Sequence, residues 1–522
     1  MAKPVEMSPD YRNLIDELSQ HGPGDGPRSS PTILLTVGSG FGARYLLGSG
    51  IARRLVERGA SVIVLSPNAG DPEFESTFKR PGITVEKLNP DGWPGHARKS
   101  RLHRFLLHVR SLTLATSRKA ATLDAHAASE NHGPRKGLKN TLSTRFVHGL
   151  ARLLRTSRTS RRFVIAMERR LVKANYHPHI FEQHDLDLVV TTDIGTTDAG
   201  NLMMREAKSQ GVKGCSVILS WDNPTSKGIG VESPDAVIAW NDVMRTELTD
   251  YHRIPKERIF VEGIAHFDSY FDQEFSPGRE EWLSRHQLDP SRRTIFLATA
   301  SPSTYLYNVD LIRMILEGIE SGRVSQPVQL LVRLHPVYSA RIKVGGNRDR
   351  EEMAALKKEF GDRLILNEPS MTDQPFGFIY DIEDQRTLAG ILRHSDVMVN
   401  LFSTMMLEAC IFDLPIINSA LHTYRNTSIR NAALAEFTHI RPLLDMSAMD
   451  IAHSESDLFG QLNKYLAEPG FRAEERAEVR DLYGGPNKGR SVEAVSNRIM
   501  GLATEGRNIG PESISPGPSP GV

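Results

Sequence analysis

A serine and a threonine follow closely after a short apolar run near residue 400. The run Val397–Asn400 has the length and composition of a buried parallel strand, and Ser403 and Thr404 stand where a helix would begin. Free backbone N–H groups and the positive end of the helix dipole attract phosphate at such a start, and the two hydroxyls can donate to the same oxygens. The pair therefore predicts a binding site for a phosphate or diphosphate group.

Glu408 lies four residues after Thr404, which places it on the same helix face, one turn deeper. An ionised carboxylate there can accept hydrogen bonds from ribose hydroxyls while a diphosphate stays at the helix start. Residues 395–417 then form a nucleotide site. An ordinary helical crossover between two strands explains the same residues, and this alternative stays open. In it Ser403 and Thr404 form the helix cap and Glu408 is solvated.

Three glycines follow the first apolar run, in the phrase VGSGFGAR at 37–44. Their spacing is poor for a dinucleotide fingerprint, and the second strand ends in SPN without an acid for a ribose, so we expect neither a nicotinamide nor any other cofactor. Gly40 and Gly42 would still let backbone N–H groups approach a substrate, with Arg44 adding charge. A tight turn between strand and helix is the alternative.

Strand and helix patterns alternate along the chain and must position these residues. Strands are predicted at 32–37, 61–65, 187–191, 215–219, 236–240 and 259–263, and again at 294–298, 329–334, 364–366, 397–400 and 415–418. Such alternation predicts an α/β fold with doubly wound parallel sheets, and its restart near residue 265 predicts two Rossmann-like domains. Ligands bind outside the carboxyl ends of such strands, so we expect the site in a cleft between the facing domains.

Length and composition indicate a soluble globular protein with two domains. The chain has 522 residues, and its Pro-, Gly- and Ser-rich ends at 1–30 and 505–522 are predicted to be disordered tails. No run of about 18 apolar residues occurs, and the beginning lacks the apolar core of a signal peptide, so a cytoplasmic location is expected. Cys215 and Cys410 lie in apolar runs and predict buried thiols, with neither a disulfide framework nor a cysteine metal site.

A strongly basic segment interrupts the first domain at residues 96–173. It contains 19 lysines and arginines against three acids, a net charge of +16 in a chain whose total is +1. Apolar residues recur in it at spacings of three and four, which predicts amphipathic helices. They are compatible with an anionic membrane surface, and equally with helices that bury one face in the domain. Without an aromatic platform or a nucleic-acid motif, RNA or DNA binding is not favoured.

Several phrases, in the right order, resemble the GT-B fold of glycosyltransferases. AWNDVMRTEL at 239–248 and VEGIAHFD at 261–268 resemble the end of the first domain and the linker. VRLHP at 332–336, SDVMVNLFSTMMLEA at 395–409 and YGGPNKGRSVEAVSNRI at 483–499 resemble the C-domain of CDP-glycerol glycerophosphotransferases and related surface-polysaccharide transferases, and WDNPTSKG at 221–228 resembles a segment of the same group. The resemblance covers most of residues 31–502. It implies an acceptor domain at 31–265 and a nucleotide-donor domain at 266–504.

Position by position, the resemblance makes Ser403 and Thr404 the diphosphate site and Glu408 the ribose contact. It also places His335 on the cleft wall beside Arg333, where a cation and an imidazole could stabilise the departing diphosphate. A simple turn closed by His335 is the alternative.

An inverting transferase also needs a base for the acceptor hydroxyl, and the resemblance implies that the first domain supplies it. Asp193 and Asp222 both follow predicted strands, and Asp222 is favoured because Trp221 could pack on a sugar ring. Asn223 and Lys227 offer further acceptor contacts, although an Asx turn explains the same letters. Asp185 and Asp187 form a DxD string ahead of a strand, which we interpret as structural, and no metal is expected.

The leading functional hypothesis is a metal-independent transferase that moves a sugar from a nucleotide donor, of UDP, GDP or CDP type, to a surface glycan or lipid-linked acceptor. The basic segment would hold it at the cytoplasmic membrane face. A CDP-glycerol or CDP-ribitol polymer-phosphate transferase is the alternative enzyme, and the missing match to that family's second catalytic histidine argues against it. A non-catalytic GT-B scaffold that binds polyanions is the alternative from another class. A sugar-nucleotide epimerase shares the architecture, but its N-terminal phrase is not evident.

Overall fold

The computed structural model describes most of the chain between Ser30 and Glu505. The described residues are 30–88, 100–116, 120–125, 138–172, 174–192, 194, 198–271, 278–302, 305–338, 346–369, 382–422 and 431–505, with backbone alone at a few helix ends. Both predicted tails therefore lie almost wholly outside the described residues.

The first lobe is built on seven parallel strands. They are β1 (Thr32–Thr36), β2 (Ser61–Ser66), β3 (Ile83–Lys87), β4 (Leu188–Thr191), β5 (Lys213–Val217), β6 (Ala236–Ala239) and β7 (Ile259–Val261), in the order β3-β2-β1-β4-β5-β6-β7. The helices are α1 (Gly40–Ala43), which continues into a π-helical turn at Arg44–Gly48, α2 (Ile51–Glu57), α3 (Pro72–Phe78), α4 (Arg101–Ser111), α5 (Leu138–Thr156), α6 (Arg158–Leu171), α7 (Pro178–Gln183), α8 (Asp198–Ser209), α9 (Asn223–Ser226) and α10 (Asp242–His252). The strand order reverses between β1 and β4, which makes their carboxyl ends the expected ligand edge.

The second lobe repeats the design with six parallel strands. They are β8 (Arg293–Ala298), β9 (Val328–Arg333), β10 (Leu364–Asn367), β11 (Val397–Asn400), β12 (Ile416–Ser419) and β13 (Asp450–Ala452), in the order β10-β9-β8-β11-β12-β13. Its helices are α11 (Arg279–Arg285), α12 (Asn308–Glu320), α13 (Gly346–Phe360), α14 (Ile382–His394), α15 (Met405–Ile411), α16 (Arg441–Asp445), α17 (Glu455–Ala467), α18 (Ala473–Tyr483) and α19 (Ser491–Thr504). The order reverses between β8 and β11, so this lobe also has a single reversal point at the carboxyl ends of two neighbouring strands.

These two sheets confirm the predicted α/β fold of two Rossmann-like domains. The strands divide between β7 and β8, on either side of the boundary at 265, and a 3-10 helix at Ala265–Tyr270 leads from one lobe to the other. The last helix crosses back, because α19 packs on α2 and Glu493 accepts hydrogen bonds from Arg54 of that helix and from Arg58, which follows its last residue. Residues 491–504 thus lie against the first lobe, although the predicted boundaries assign them to the second domain.

Two strands escaped prediction, and both are sheet edges. Among the described strands, β3 pairs only with β2, and β13 pairs only with β12. The sequences of these edge strands, ITVEK and DIA, carry charge and give too short an apolar run to stand out, because an edge strand need not be buried on both faces.

The basic segment folds as helices that pack on one another. This agrees with the alternative in which amphipathic helices bury one face in the domain. Val109 and Leu112 of the α4 region cluster with Val147, Ala151 and Leu154 of α5, all of them buried. A second set of apolar side chains in the same segment stays exposed. It comprises Leu102 (44% exposed), Phe146 (64%), Leu153 (58%), Phe163 (63%) and Leu171 (51%). Over the described ranges, no helix is both long enough and apolar enough to span a bilayer.

Candidate functional site

A cleft of about 650 Å³ opens between the two lobes, lined by residues of both. The second lobe contributes the segments after β8 and β11, including Thr299 and Thr404, and these follow the two strands at which the sheet order reverses. The first lobe contributes Arg44 after β1 and Asp222 after β5. The cleft therefore lies at the carboxyl ends of the strands, where open α/β sheets bind their ligands.

The turn after β11 is fixed by asparagines buried in the sheet. Phe402 adopts a left-handed conformation (φ 54°), and its N–H donates to Oδ1 of Asn418 on β12 at 3.3 Å. The hydroxyl of Ser403 donates to Oδ1 of Asn400 at 2.7 Å, so its proton is already engaged. Ser403 can offer lone pairs to the cleft, but it is not the free hydroxyl donor that the sequence suggested.

Thr404 keeps its hydroxyl proton available. It flanks the start of α15 without making a capping hydrogen bond through its side chain, so the cap interpretation does not describe it. Its Oγ1 instead accepts a hydrogen bond of 3.2 Å from the indole N–H of Trp221, which belongs to the other lobe. The hydroxyl can therefore still donate to an anion in the cleft.

Glu408 lines the cleft and is buried, with 6% of its surface exposed, which excludes the solvated alternative. Its Oε2 accepts a hydrogen bond of 2.6 Å from the hydroxyl of Tyr270 in the connecting 3-10 helix. Burial, and then the charge of Glu408, raise the pKa of Tyr270, while the nearby Arg44 of the first lobe acts in the opposite direction. A carboxylate has about four lone-pair directions, so capacity remains for ribose hydroxyls.

Arg333 faces the cleft as half of a buried ion pair. Its Nη2 lies 2.7 Å from Oδ2 of Asp384, and both side chains are less than 10% exposed. Its Nη1 donates to Oδ1 of Asn367 at 2.5 Å. The predicted cation is thus neutralised locally, and its structure fits a positioning role better than direct stabilisation of a departing diphosphate.

His335 also lines the cleft, directly after β9. Its backbone N–H donates to Oγ1 of Thr299 at 2.7 Å, which ties the ends of β8 and β9 together. Burial lowers the pKa of His335 to about 4, so the imidazole is neutral at pH 7. It can donate or accept a hydrogen bond there, but it supplies no positive charge.

Asp222 is a carboxylate on the opposite wall of the cleft, in the first lobe. Ser220 donates to its Oδ1, and Ser226 donates to its Oδ2 at 2.5 Å. Burial alone would raise the pKa of Asp222, but His439 and the two serine hydroxyls together outweigh it, with Lys227 acting in the same direction, so the pKa lies below its usual value. The carboxylate is therefore ionised at neutral pH.

His439 is the residue that sequence reasoning missed. It comes from the second lobe, lines the cleft, and interacts electrostatically with Asp222. The hydroxyl of Thr225 lies 3.0 Å from Nδ1 of His439 and 3.2 Å from the backbone carbonyl of Asp222. Burial lowers the pKa of His439 to about 4, so the ring is neutral at pH 7 and one of its two nitrogens is unprotonated. No local motif marks FTHIRPL as functional, because the long-range fold creates the pair.

A second carboxyl group lies near Asp222 with the opposite protonation state. Burial, and then the charge of Asp222, raise the pKa of Glu247 on α10 to about 8. Two neighbouring carboxyls whose pKa values are pushed apart are typical of sites that handle protons.

Trp221 lies between the two lobes rather than on an open acceptor surface. The ring is buried at 5% exposure, and it meets His439 edge-on with centroids 4.9 Å apart and Tyr483 at 6.4 Å. With its N–H bonded to Thr404, the indole joins the two lobes and is not free to stack on a sugar, as the sequence had suggested.

The remaining predicted acceptor residues divide into two groups. Lys227 lies on the cleft wall, as does Arg44, whereas Asn223 is the first residue of α9 and is not part of the lining. Gly40 and Gly42 do not line the cleft either, and the N–H of Gly42 donates to Oγ of Ser39 at 3.2 Å. The glycines thus form the tight turn that was the alternative interpretation.

Two predictions concern carboxylates near β4. Asp193 falls outside the described residues. Asp187 accepts the N–H of Thr32 at 2.8 Å, which is the structural role proposed for it. Among the residues that the structure describes, no group of three or more histidine, cysteine, aspartate or glutamate side chains is arranged to hold a metal ion.

No protein-family model and no curated protein matches the sequence. Solved structures of similar fold include a glycosyltransferase from Rickettsia africae, at 12% identity and a TM-score of 0.47, covering 92% of this chain and 99% of that one. They also include the UDP-GlcNAc 2-epimerase of Neisseria meningitidis bound to UDP-GlcNAc, at 11% identity and a TM-score of 0.48, covering 90% of this chain and 99% of that one. A third is the wall teichoic acid polymerase TagF with CDPG, at 10% identity and a TM-score of 0.44, covering 91% of this chain and 89% of that one. Likeness at this level concerns the fold alone.

Proposed function

We propose that this chain is a glycosyltransferase that moves a sugar from a nucleotide-diphosphate donor to a surface-glycan or lipid-linked acceptor. The observation that carries the proposal is the pairing of two walls across one cleft. Thr404 and Glu408 on the second lobe offer a hydroxyl donor and a carboxylate to a nucleotide diphosphate, and Asp222 faces them from the first lobe beside His439. A cleft of about 650 Å³ is of the size that holds such a ligand.

The transfer step follows from these positions. The bond between the sugar's anomeric carbon and the β-phosphate oxygen breaks, and its electron pair leaves with the nucleoside diphosphate. Thr404 stabilises the added charge by hydrogen bonding, and Lys227 and Arg44 add positive potential within the cleft. The acceptor hydroxyl oxygen forms the new bond to the anomeric carbon, and its proton passes to the pair of Asp222 and His439.

The proposal places the enzyme at the cytoplasmic face of the membrane. The basic segment supports this part, because five of its large apolar side chains remain exposed beside exposed arginines. Basic side chains attract anionic lipid and the apolar side chains insert between headgroups, so salt should weaken vesicle binding.

A CDP-glycerol or CDP-ribitol phosphate transferase is the second candidate. The sequence argued against it because no second histidine matched the related family's pattern. His439 now supplies a second imidazole on the cleft wall in addition to His335. This observation restores the alternative as one to be tested beside the first.

A donor screen separates the candidates. Purified full-length protein is incubated with acceptor-bearing membranes and a panel of UDP-, GDP- and CDP-sugars, CDP-glycerol and CDP-ribitol, and nucleotide release is measured. Sugar transfer liberates a nucleoside diphosphate from one donor, whereas alditol-phosphate transfer liberates CMP. We expect diphosphate release from one nucleotide sugar. Release of CMP alone would favour the second candidate, and no release together with heparin binding would favour a non-catalytic scaffold.

A further inference from the structure

A second cavity lies in the first lobe, lined by residues other than those of the cleft. It has a volume of about 280 Å³ and is bounded by α6, by the segment 229–234 and by the end of α10. Five arginines line it, namely Arg158, Arg161, Arg162, Arg169 and Arg253. We call this cavity the arginine pocket.

The positive charge of the arginine pocket is largely uncompensated. Among the lining residues that the structure describes, Glu232 is the one acid, and Arg169 already engages it at 2.7 Å while Arg205 and Lys208 approach it at 3.9 Å. Within the described ranges, Arg158, Arg162 and Arg253 pair with no carboxylate. Unpaired like charges in one cavity repel each other, and a bound anion would remove that cost.

Arg161 shows that the pocket is built. The side chain is 9% exposed, and its Nη1 donates to the carbonyls of Leu154 at 2.8 Å and Arg155 at 2.6 Å, which holds the guanidinium in place. Burial, and then repulsion from Arg253 and Arg158, lower the pKa of Arg161, so the positive charges of Arg253 and Arg158 lie close enough to repel that of Arg161.

The end of α10 places another positive charge, that of Arg253, on the wall of the cavity. Arg253 caps α10 in a left-handed conformation (φ 59°), where glycine is the usual residue. The remaining wall is largely apolar, with Ile165, Ile229 and Val231 among its residues. An anion with several acceptor oxygens and a small uncharged remainder fits these contacts, and arginine forks match phosphate oxygens better than they match a monatomic ion.

From this geometry we infer that the arginine pocket binds a phosphate group, either of a phospholipid headgroup or of a soluble phosphate compound. Arg161 is the fixed floor of the site, and Arg158, Arg162 and Arg253 close on the anion from the rim. The inference does not depend on the transfer reaction, because the pocket shares no lining residue with the cleft.

The test compares two triple variants of the full chain that remove the same charge. Arg158→Gln/Arg162→Gln/Arg253→Gln empties the rim, and Arg101→Gln/Arg104→Gln/Arg145→Gln removes three exposed arginines elsewhere in the basic segment. Calorimetry measures binding of inorganic phosphate and pyrophosphate, and sedimentation measures binding to phosphatidylcholine vesicles with and without phosphatidic acid. All six side chains are exposed, so folding should persist, and the single variant Arg162→Glu provides a second check.

We expect the rim variant to lose at least tenfold in pyrophosphate affinity relative to the wild type, with the control triple within about threefold. Selective loss of binding to phosphatidic acid vesicles in the rim variant identifies the lipid source, and unchanged vesicle binding identifies a soluble phosphate. The inference is overturned if the wild type binds neither probe, or if both triples weaken binding equally. Normal phosphate binding by Arg162→Glu would also contradict it.

Discussion

Replacing Asp222 by asparagine is expected to lower kcat by about 10²- to 10⁴-fold, the usual contribution of a positioned proton acceptor. The amide keeps the size of the side chain and can still accept from Ser220, but it removes the negative charge that faces the acceptor hydroxyl. The partner His439 has a pKa of about 4, so without the carboxylate its imidazolium form is still less accessible. Turnover of the donor found in the screen is the measurement, and nucleotide affinity should change by less than about threefold.

Asp250→Asn is the matched control, since this exposed aspartate lies on α10 of the same lobe, outside the cleft lining. It should leave kcat unchanged. Near-normal turnover by Asp222→Asn would show that Asp222 takes no part in the reaction. A loss of nucleotide affinity as large as the loss of kcat would instead indicate that the variant disturbs the cleft as a whole.

The second large effect concerns the buried ion pair that supports the basic segment. Arg110 on α4 and Glu168 on α6 are each 2% exposed, with Nε to Oε2 at 3.0 Å and Nη2 to Oε1 at 3.3 Å. Glu168→Ala leaves the guanidinium buried without its counter-charge, and we expect the free energy of unfolding to fall by about 3–5 kcal/mol. Chemical denaturation of the full chain measures it.

A double variant separates the lost charge from the lost packing. In Arg110→Met/Glu168→Met no isolated charge remains, so we expect a smaller loss than in Glu168→Ala, although the carbonyl of Ile229 loses its 2.8 Å hydrogen bond from Arg110. Asp445→Ala breaks the exposed pair with Arg441, which solvent screens, and should cost far less stability than Glu168→Ala. A similar cost for Glu168→Ala and Asp445→Ala would show that the buried pair contributes little.

The interior of both sheets could be predicted from the sequence because each central strand is an unbroken apolar run. Runs such as VMVN in β11 and LVVT in β4 are buried on both faces and admit one interpretation. Edge strands β3 and β13 lack that signal. The crossing of α19 onto α2 was also not predictable, because helix periodicity does not say which lobe a helix packs against.

The candidate site was predictable in location but not in detail. Strand ends and a helix start identified Ser403, Thr404, Glu408 and Asp222, and the structure places all four on one cleft. The partners of these residues depend on contacts between distant segments. Thr225 and His439 are 214 residues apart in the sequence, and Trp221 and Thr404 are 183 residues apart. Local residue spacing therefore predicts neither contact. The same holds for the pairing of Arg333 with Asp384, which changes the role expected for that arginine.

Nucleotide binding by the variants Glu408→Ala and Tyr270→Phe tests whether Glu408 holds the nucleotide in the cleft. Both variants remove the 2.6 Å hydrogen bond between these residues, but only the first removes the carboxylate that would hold the ribose. We expect UDP or CDP to stabilise the wild type by about 2.7 kcal/mol at a hundredfold excess over Kd, and we expect Tyr270→Phe to retain this effect while Glu408→Ala loses it. A wild type that responds to no nucleoside diphosphate, or a Glu408→Ala variant that binds like Tyr270→Phe, would contradict this expectation.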